Sequence, residues 1–208
     1  MQPLILWIQT VAPLFAKGKL VDYGCGNKPY QSFLSNVENY IGVDVEQNNL
    51  GNVDVILGIG DHLPMESESV DTVLSTQVLE HVPDPARYVK EASRVLKRGG
   101  RLILTCPGAY MLHEEPRDYF RYTKYGLKYL IEACGLKIVR IDPAGGAWRL
   151  LGQTFLNHRT FAPKIRIPIL SNVFFFVTVI VVNTVASILD KWNTNPKETV
   201  NYMVIAEK

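Results

Sequence analysis

Cysteine is scarce in this chain of 208 residues: Cys25, Cys106 and Cys134 stand far apart and form no CxxC pair. That excludes a disulfide framework and fits a reducing compartment, so a cytoplasmic location is expected. The four histidines, His62, His81, His113 and His158, show no HExxH or other tight ligand spacing, and no metal centre is expected. Basic residues form no run and the net charge is only +2, so no nucleic-acid partner is expected. No Gly-Lys-Ser/Thr triplet follows the first glycine turn, which excludes a P-loop.

What remains is a globular composition, 47% hydrophobic and 20% charged, sized for a single domain over 1–208. Residues 1–17 are apolar but carry no early basic residue and no small-x-small cleavage site, which argues against a signal peptide. Leu4, Ile8, Val11 and Phe15 recur at helical spacing, so an amphipathic helix is expected there, with Pro13 able to kink it.

Short runs rich in Val, Ile and Leu occupy 20–24, 40–44, 53–58, 70–75 and 101–107, as strands buried on both faces do. Two more fall at 136–142 and 201–207. The spacing predicts a helix over 84–97 with Ala86, Val89, Ala92, Val95 and Leu96 on one side. Its stop is expected at Lys97-Arg98-Gly99-Gly100. A second helix is predicted over 123–134, with Thr123 as N-cap and Gly135 beyond its end. Strands alternating with helices imply a mostly parallel α/β sheet, whose ligands bind at the carboxyl ends of its strands.

Four segments at those ends carry candidate chemistry. Asp22-Tyr-Gly24-Cys25-Gly26 is a glycine turn that either brings backbone close to a ligand or is an ordinary strand-to-helix turn. Pro29 stands where a dinucleotide fingerprint has its last glycine. Asp44, ending the second strand, either accepts both hydroxyls of a ribose or caps a turn. Asp61, in Gly60-Asp-His-Leu-Pro-Met65, either accepts from an adenine amine, with Leu63 and Met65 against the base, or is a solvated acid. Leaving the fourth strand, Gln77 is placed to touch a ligand, and Glu80 and His81 are either chemical groups or a packed, hydrogen-bonded linker.

The set VDYGCGNKPY, YIGVD, GDHLPMESESVDTVLSTQVLEHV, EASRVLKRGGRLILTCP and RYTKYGLKYLIEACG resembles the class I S-adenosylmethionine-dependent methyltransferases, and within them the broad small-molecule group called type 11. The resemblance spans 18–142 and the last strand. It implies a Rossmann-like doubly wound sheet of about seven strands, mostly parallel, with an antiparallel last strand and a helical insert before it. It implies S-adenosylmethionine as cofactor. Asp22 would act on the methionine amino group through the glycine turn. Gly24, Cys25 and Gly26 would line the methionine and ribose, Asp44 with Val45 would hold the ribose, and Asp61, His62 and Leu63 would meet the adenine. Gln77 would lie near the methionine end. The chain departs from the family pattern at Lys28, where a third small residue is usual.

Methyl transfer from a sulfonium is an in-line displacement that placement alone accelerates, so a general base is needed only for a protonated, weakly nucleophilic acceptor. The segment 107–123 concentrates one histidine, two arginines, three tyrosines and three acids, as an acceptor-binding loop or lid does. His113 is the candidate base, and Arg117 and Arg121 the candidate holders of an anionic acceptor; alternatively the loop only shapes and closes the site. The Asn/Asp-Pro-Pro-Tyr sequence of base or amide nitrogen methylation is absent, which favours a small-molecule or lipid-like acceptor.

The insert at 147–196 contains 23 residues without a charge, Ile167–Leu189, a length that raises the question of a membrane span. A single crossing would separate strands expected to pair in one sheet, so it is not expected. Three arrangements stay open: helices 148–161 and 169–189 packing on the domain or on a second copy, which would make a homodimer; helices lying at the inner face of a membrane, with Arg159, Lys164 and Arg166 beside them; or an apolar lid. The β-branched run VFFFVTVIVV also suits a strand. Two other functions compete with methyl transfer: a nucleotide-cofactor oxidoreductase, and a catalytically silent scaffold of the same fold.

Overall fold

The structure of the protein, a computed structural model, describes residues 3–157, 168–192 and 197–208. Its frame is one sheet of β1 (Gly18–Tyr23), β2 (Val37–Asp44), β3 (Val55–Ile56), β4 (Val70–Thr76), β5 (Leu96–Pro107), β6 (Lys137–Ala144) and β7 (Asn201–Glu207). The strand order is β3-β2-β1-β4-β5-β7-β6. Pairs β1/β2, β2/β3, β1/β4 and β4/β5 are parallel, and β7 runs antiparallel to both β5 and β6. Order reverses beside β1, and the carboxyl ends of β1, β2 and β4 therefore border one crevice.

One face of the sheet is covered by α2 (Pro85–Val95) and α3 (Lys124–Ala133), which bury Val89, Ala92, Val95, Leu127 and Ile131 against Val21, Val73, Leu102, Leu104 and Val204. Fully burying each of these Val, Leu and Ile side chains contributes about 1.5–3 kcal/mol. Opposite, α1 (Pro3–Thr10) and the turn at Ala12–Leu14 lay Trp7, Ile8, Ala12 and Ala16 on Leu20, Leu74, Ile103 and Ile205. The Trp7 indole N–H donates to Asp142 on β6 at 2.9 Å. Asp84 caps α2 by accepting from the Arg87 amide at 3.0 Å, and Thr123 caps α3 by accepting from the Gly126 amide at 3.0 Å. Gly135, at φ +83°, ends α3.

Three local expectations are corrected. Helix α2 stops at Val95, because Leu96 already pairs with Val70, and Lys97–Gly100 form a bulge in β5 with Gly99 at φ +75°. Lys97 bonds Asp71 at 2.8 Å there instead of facing a helix terminus, and Ala86 is exposed while Tyr88 is buried. The third strand has only two residues: it is an edge strand, and the flanking Asp54 and Gly58 serve the site.

The insert is helical at Ala147–Asn157 and Pro168–Trp192, so the strand reading of VFFFVTVIVV is corrected. These helices, α4 (Ala147–Asn157) and α5 (Pro168–Trp192), run antiparallel, with Gly152 against Val182 and Ala186 and with Arg149 bonded to Ser187 at 2.7 Å. Residues 158–161, and with them Arg159, Lys164 and Arg166, lie outside the described residues. Asp190 fastens the base of the hairpin by accepting from the amides of Gly146 at 2.8 Å and Trp148 at 3.1 Å. Asp190→Ala is therefore expected to cost about 1 kcal/mol locally, the size of a lost helix cap. Hydrogen exchange would show it as roughly fivefold faster exchange at Gly146 and Trp148, with the amides of β4 and β5 unchanged.

Candidate functional site

A cleft of about 1000 Å³ opens at the carboxyl ends of β1, β2 and β4. The β1 end supplies its floor. Gly24 and Cys25 donate their amides to the Val43 carbonyl at 2.8 and 3.0 Å, so the turn is tied across to β2. Gly24 sits at φ +85°, and a Cβ on it would stand 2.3 Å from Val78 Cγ2; only glycine lets the turn lie this close to the exit of β4. Gly26 donates to Asp44 Oδ2 at 2.7 Å, and the Val45 amide to Asp44 Oδ1 at 2.7 Å. Each carboxylate oxygen keeps a second lone pair for a ligand hydroxyl. A Cβ on Gly26 would meet nothing within 4 Å, so the turn leaves open space on its outer side.

Gly24, Cys25, Gly26, Asp44, Val45, Asp61, His62 and Gln77 line this cleft; Asp22 and Leu63 do not. Asp22 is 1% exposed and lies on β1 directly before the turn, bonded by the Tyr40 hydroxyl, with Oδ1 unpartnered among the described residues. Burial raises its pKa to about 7, against the pull of the Tyr40 hydrogen bond. Leu63 and Met65 pack into the core beside α2, so the expectation that they flank an adenine ring is corrected; Leu57 and Ile59 line that wall instead. Cys25 is buried, and desolvation pushes its thiol up to about 12, which rules it out as a thiolate nucleophile at neutral pH.

Lys28, where the sequence departs from the family pattern, sits at φ +53°, a conformation that favours glycine. Its ammonium reaches beneath Gly42 to Asp54 at 2.5 Å, and Asp54 also accepts from the Gly42 amide at 2.6 Å. Sequence reading missed this pair, and it missed Glu91. Glu91 is 6% exposed and accepts from the Leu63 amide at 2.8 Å, from Arg94 at 2.6 Å and from His62 at 3.0 Å. Those bonds hold its carboxyl down at about 2 despite burial. Glu91 thus fixes the segment that carries Asp61, and its signal was an acid on the apolar side of a helix.

The same cleft is also lined by His81, Glu114, Pro116 and Arg117. His81 Nδ1 donates to the Arg117 carbonyl at 2.5 Å, which joins the β4 exit to the 107–123 loop. Glu80 is fully buried, and burial pushes it up to about 7 against the pull of its own amide, His81 and Arg121. His113 and Arg121 do not line the cleft. All five guanidinium N–H groups of Arg121 are used: on both oxygens of Asp118 at 2.6 Å and on the carbonyls of Tyr110, Met111 and Phe120. The expectation that Arg121 holds an anionic acceptor is corrected, because it has no donor to spare and instead braces the loop. Arg117 is at the cleft wall.

Residues 21–104 match the profile of a family described as a methyltransferase domain. The chain is 30% identical over 187 residues to a ubiquinone biosynthesis O-methyltransferase of Thiobacillus denitrificans, covering 73% of this chain and 80% of that one. Several other curated relatives are matched over less than half of their length, such as a probable S-adenosylmethionine-dependent methyltransferase of Mycobacterium tuberculosis, 31% identical over 48% of this chain and 39% of that one. Among solved structures, a SAM dependent methyltransferase from Archaeoglobus fulgidus superposes with a TM-score of 0.63 at 17% identity, over 98% of this chain and 92% of that one. The cyclase SpnF superposes with a TM-score of 0.60 at 17% identity, over 99% and 80%. These two likenesses establish the fold.

Asp22 generates a pH signature. Its native pKa of about 7 lies above the ordinary value of 3.8, so the folded chain keeps a proton that the unfolded chain releases. The stability owed to this group is complete below about pH 4 and falls as pH rises through 7, by roughly 2–4 kcal/mol. Asp22→Asn keeps an acceptor for Tyr40 and is expected to flatten that slope in urea unfolding from pH 4 to 8; an unchanged slope places the titration elsewhere.

Proposed function

The chain belongs to the class I S-adenosylmethionine-dependent methyltransferases, and from that premise we propose how its cleft divides between methyl donor and acceptor. The protein is a methyltransferase acting on a small molecule, with S-adenosylmethionine as cofactor. The observation that supports the division is the lining of one cleft, which holds a glycine turn, Asp44 and Asp61 together with His81, Glu114 and Arg117.

When bound, S-adenosylmethionine supplies a methyl carbon made electrophilic by a positively charged sulfur. Asp44 accepts the ribose hydroxyls on lone pairs left free by Gly26 and Val45. Asp61, in the segment braced by Glu91, accepts from the adenine amine between Leu57 and Ile59. Gly24, Cys25 and Gln77 take the methionine end, and Asp22, beneath the turn, acts on it through that backbone. Gln77 is set for this by φ +56° and by a bond from its amide nitrogen to Thr105 at 3.1 Å. The acceptor enters against His81, Glu114 and Arg117. Its proton leaves toward Glu114, which lines the cleft beside His81, rather than toward His113, which does not. An oxygen acceptor agrees with the name of the Thiobacillus relative.

Calorimetry with S-adenosylhomocysteine tests the donor end. Asp44→Ala is expected to weaken its binding roughly 10- to 100-fold, the effect of losing hydrogen bonds to a charged group. Tight NAD binding without any response to S-adenosylhomocysteine overturns the assignment.

The finer reading is a lipid-like acceptor met at a membrane surface. It is supported by the outer faces of α4 and α5, where Leu151, Phe155, Phe176, Ile180, Val181 and Val185 are exposed. The window Phe175–Trp192 has a mean hydropathy of 1.5 and is 6% buried. Such an apolar face beside charged ends is a membrane-interface feature. In liposome flotation the protein is expected to rise with the vesicles; protein left at the bottom with both anionic and neutral vesicles removes this reading.

A further inference from the structure

Beneath the acceptor end lies a cluster that neither the donor cradle nor the fold accounts for. Glu80, in the turn Leu79–His81 after β4, is 0% exposed, and neither carboxylate oxygen has a hydrogen-bond partner among the described residues. An unpaired buried carboxylate is costly and calls for a partner. His81 spends its Nδ1 proton on the Arg117 carbonyl, which leaves the Nε2 lone pair free, 3.9 Å from Glu80 Oε1. His113 Nδ1 lies 3.3 Å from two acceptors, the Met111 carbonyl and Asp118 Oδ2, nearer than the Arg121 donor at 3.4 Å, so its free lone pair is also on Nε2. The two imidazoles meet edge to face with ring centroids 4.9 Å apart. One ligand-type atom from each of Glu80, His81 and His113 lies within 4.8 Å of the other two.

We propose that Glu80, His81 and His113 bind a divalent transition-metal cation, Zn²⁺ or Mn²⁺, with its open position facing the cleft. Three features support it. Imidazoles whose Nδ1–H is held by a carbonyl or carboxylate are the usual oriented metal ligands. Two nitrogens and a carboxylate suit a transition metal over Mg²⁺. Three protein ligands and one open position are the pattern of a catalytic rather than a structural site. Bonds of about 2.1 Å place neighbouring ligand atoms about 3–3.5 Å apart, so side-chain rotation closes the shell.

The proposal rests on the methyltransferase reading, in which the acceptor is a hydroxyl. The cation coordinates that oxygen and lowers the pKa of its O–H. The proton passes to the exposed Glu114, 3.8 Å from His81 Nε2, and so to solvent. An oxygen lone pair then forms the new O–CH₃ bond while the C–S electron pair stays on sulfur, leaving a neutral thioether.

The test is calorimetry and elemental analysis on chelator-stripped protein titrated with ZnCl₂, MnCl₂ and MgCl₂, with S-adenosylhomocysteine binding measured in parallel. We expect one Zn²⁺ or Mn²⁺ per chain, at least tenfold weaker binding in both Glu80→Gln and His113→Ala, and unchanged S-adenosylhomocysteine affinity in His113→Ala, which controls for folding. Protein that binds S-adenosylhomocysteine but takes up neither ion, or His113→Ala that binds the ion as before, overturns the metal site and leaves the donor reading standing. Metal uptake with no S-adenosylhomocysteine binding overturns the donor reading and, with it, the role given to the cation.

Discussion

The close passage of the Gly24 backbone against Val78 is the contact on which the site depends. It lets the end of β1 meet the exit of β4 without an intervening side chain. Because β1 lies between β2 and β4 in parallel register, this passage sets the glycine turn, Asp44 and Gln77 around one space. A side chain at Gly24 would force the two strand ends apart, and the cleft would lose its floor. The turn thus offers its backbone to the cleft, which a parallel sheet does at its strand ends.

Charge is handled differently at the two ends of the cleft. Around the glycine turn and Asp61, Glu91 pairs with Arg94 and Lys28 with the exposed Asp54, while buried Asp22 is held by the Tyr40 hydroxyl. Pairing makes these groups braces, holding the segments that carry Asp61 and the glycine turn. Near His81, Asp118 and Arg121 pair in the same way, yet Glu80, close by, is left without a partner among the described residues. A fold that satisfies its neighbouring acids locally and leaves one bare beside two oriented imidazoles marks that place for a ligand or a proton.

The helical hairpin is a separate construction on the same sheet. It leaves after β6 and returns before β7, two strands that are hydrogen-bonded neighbours, so both of its feet stand at one edge. Asp190 and Arg149 close its base, while small residues at 152 and 186 let the helices approach. Its apolar outer face is therefore not needed to hold the hairpin together.

The sequence by itself determined most strand segments and their mostly parallel sense. Hydrophobic runs ending in glycine or an acid state locally what burial on both faces and a turn require, so Gly24, Gly26, Asp44 and Asp61 were legible as strand-end positions, and they line one cleft. Residues whose meaning lies in distant contacts were not. Leu63 was read as a cleft wall but is core, and Arg121 as a free cation but is saturated. Glu91, buried by a segment 28 residues away, was not read at all. Only the tertiary structure brought His113 beside Glu80 and His81, because a loop more than thirty residues on folds back over the end of β4. Spacing along the chain carries no trace of that closure; it is decided by Arg121 and Asp118 locking the loop and by the buried carboxylate it covers.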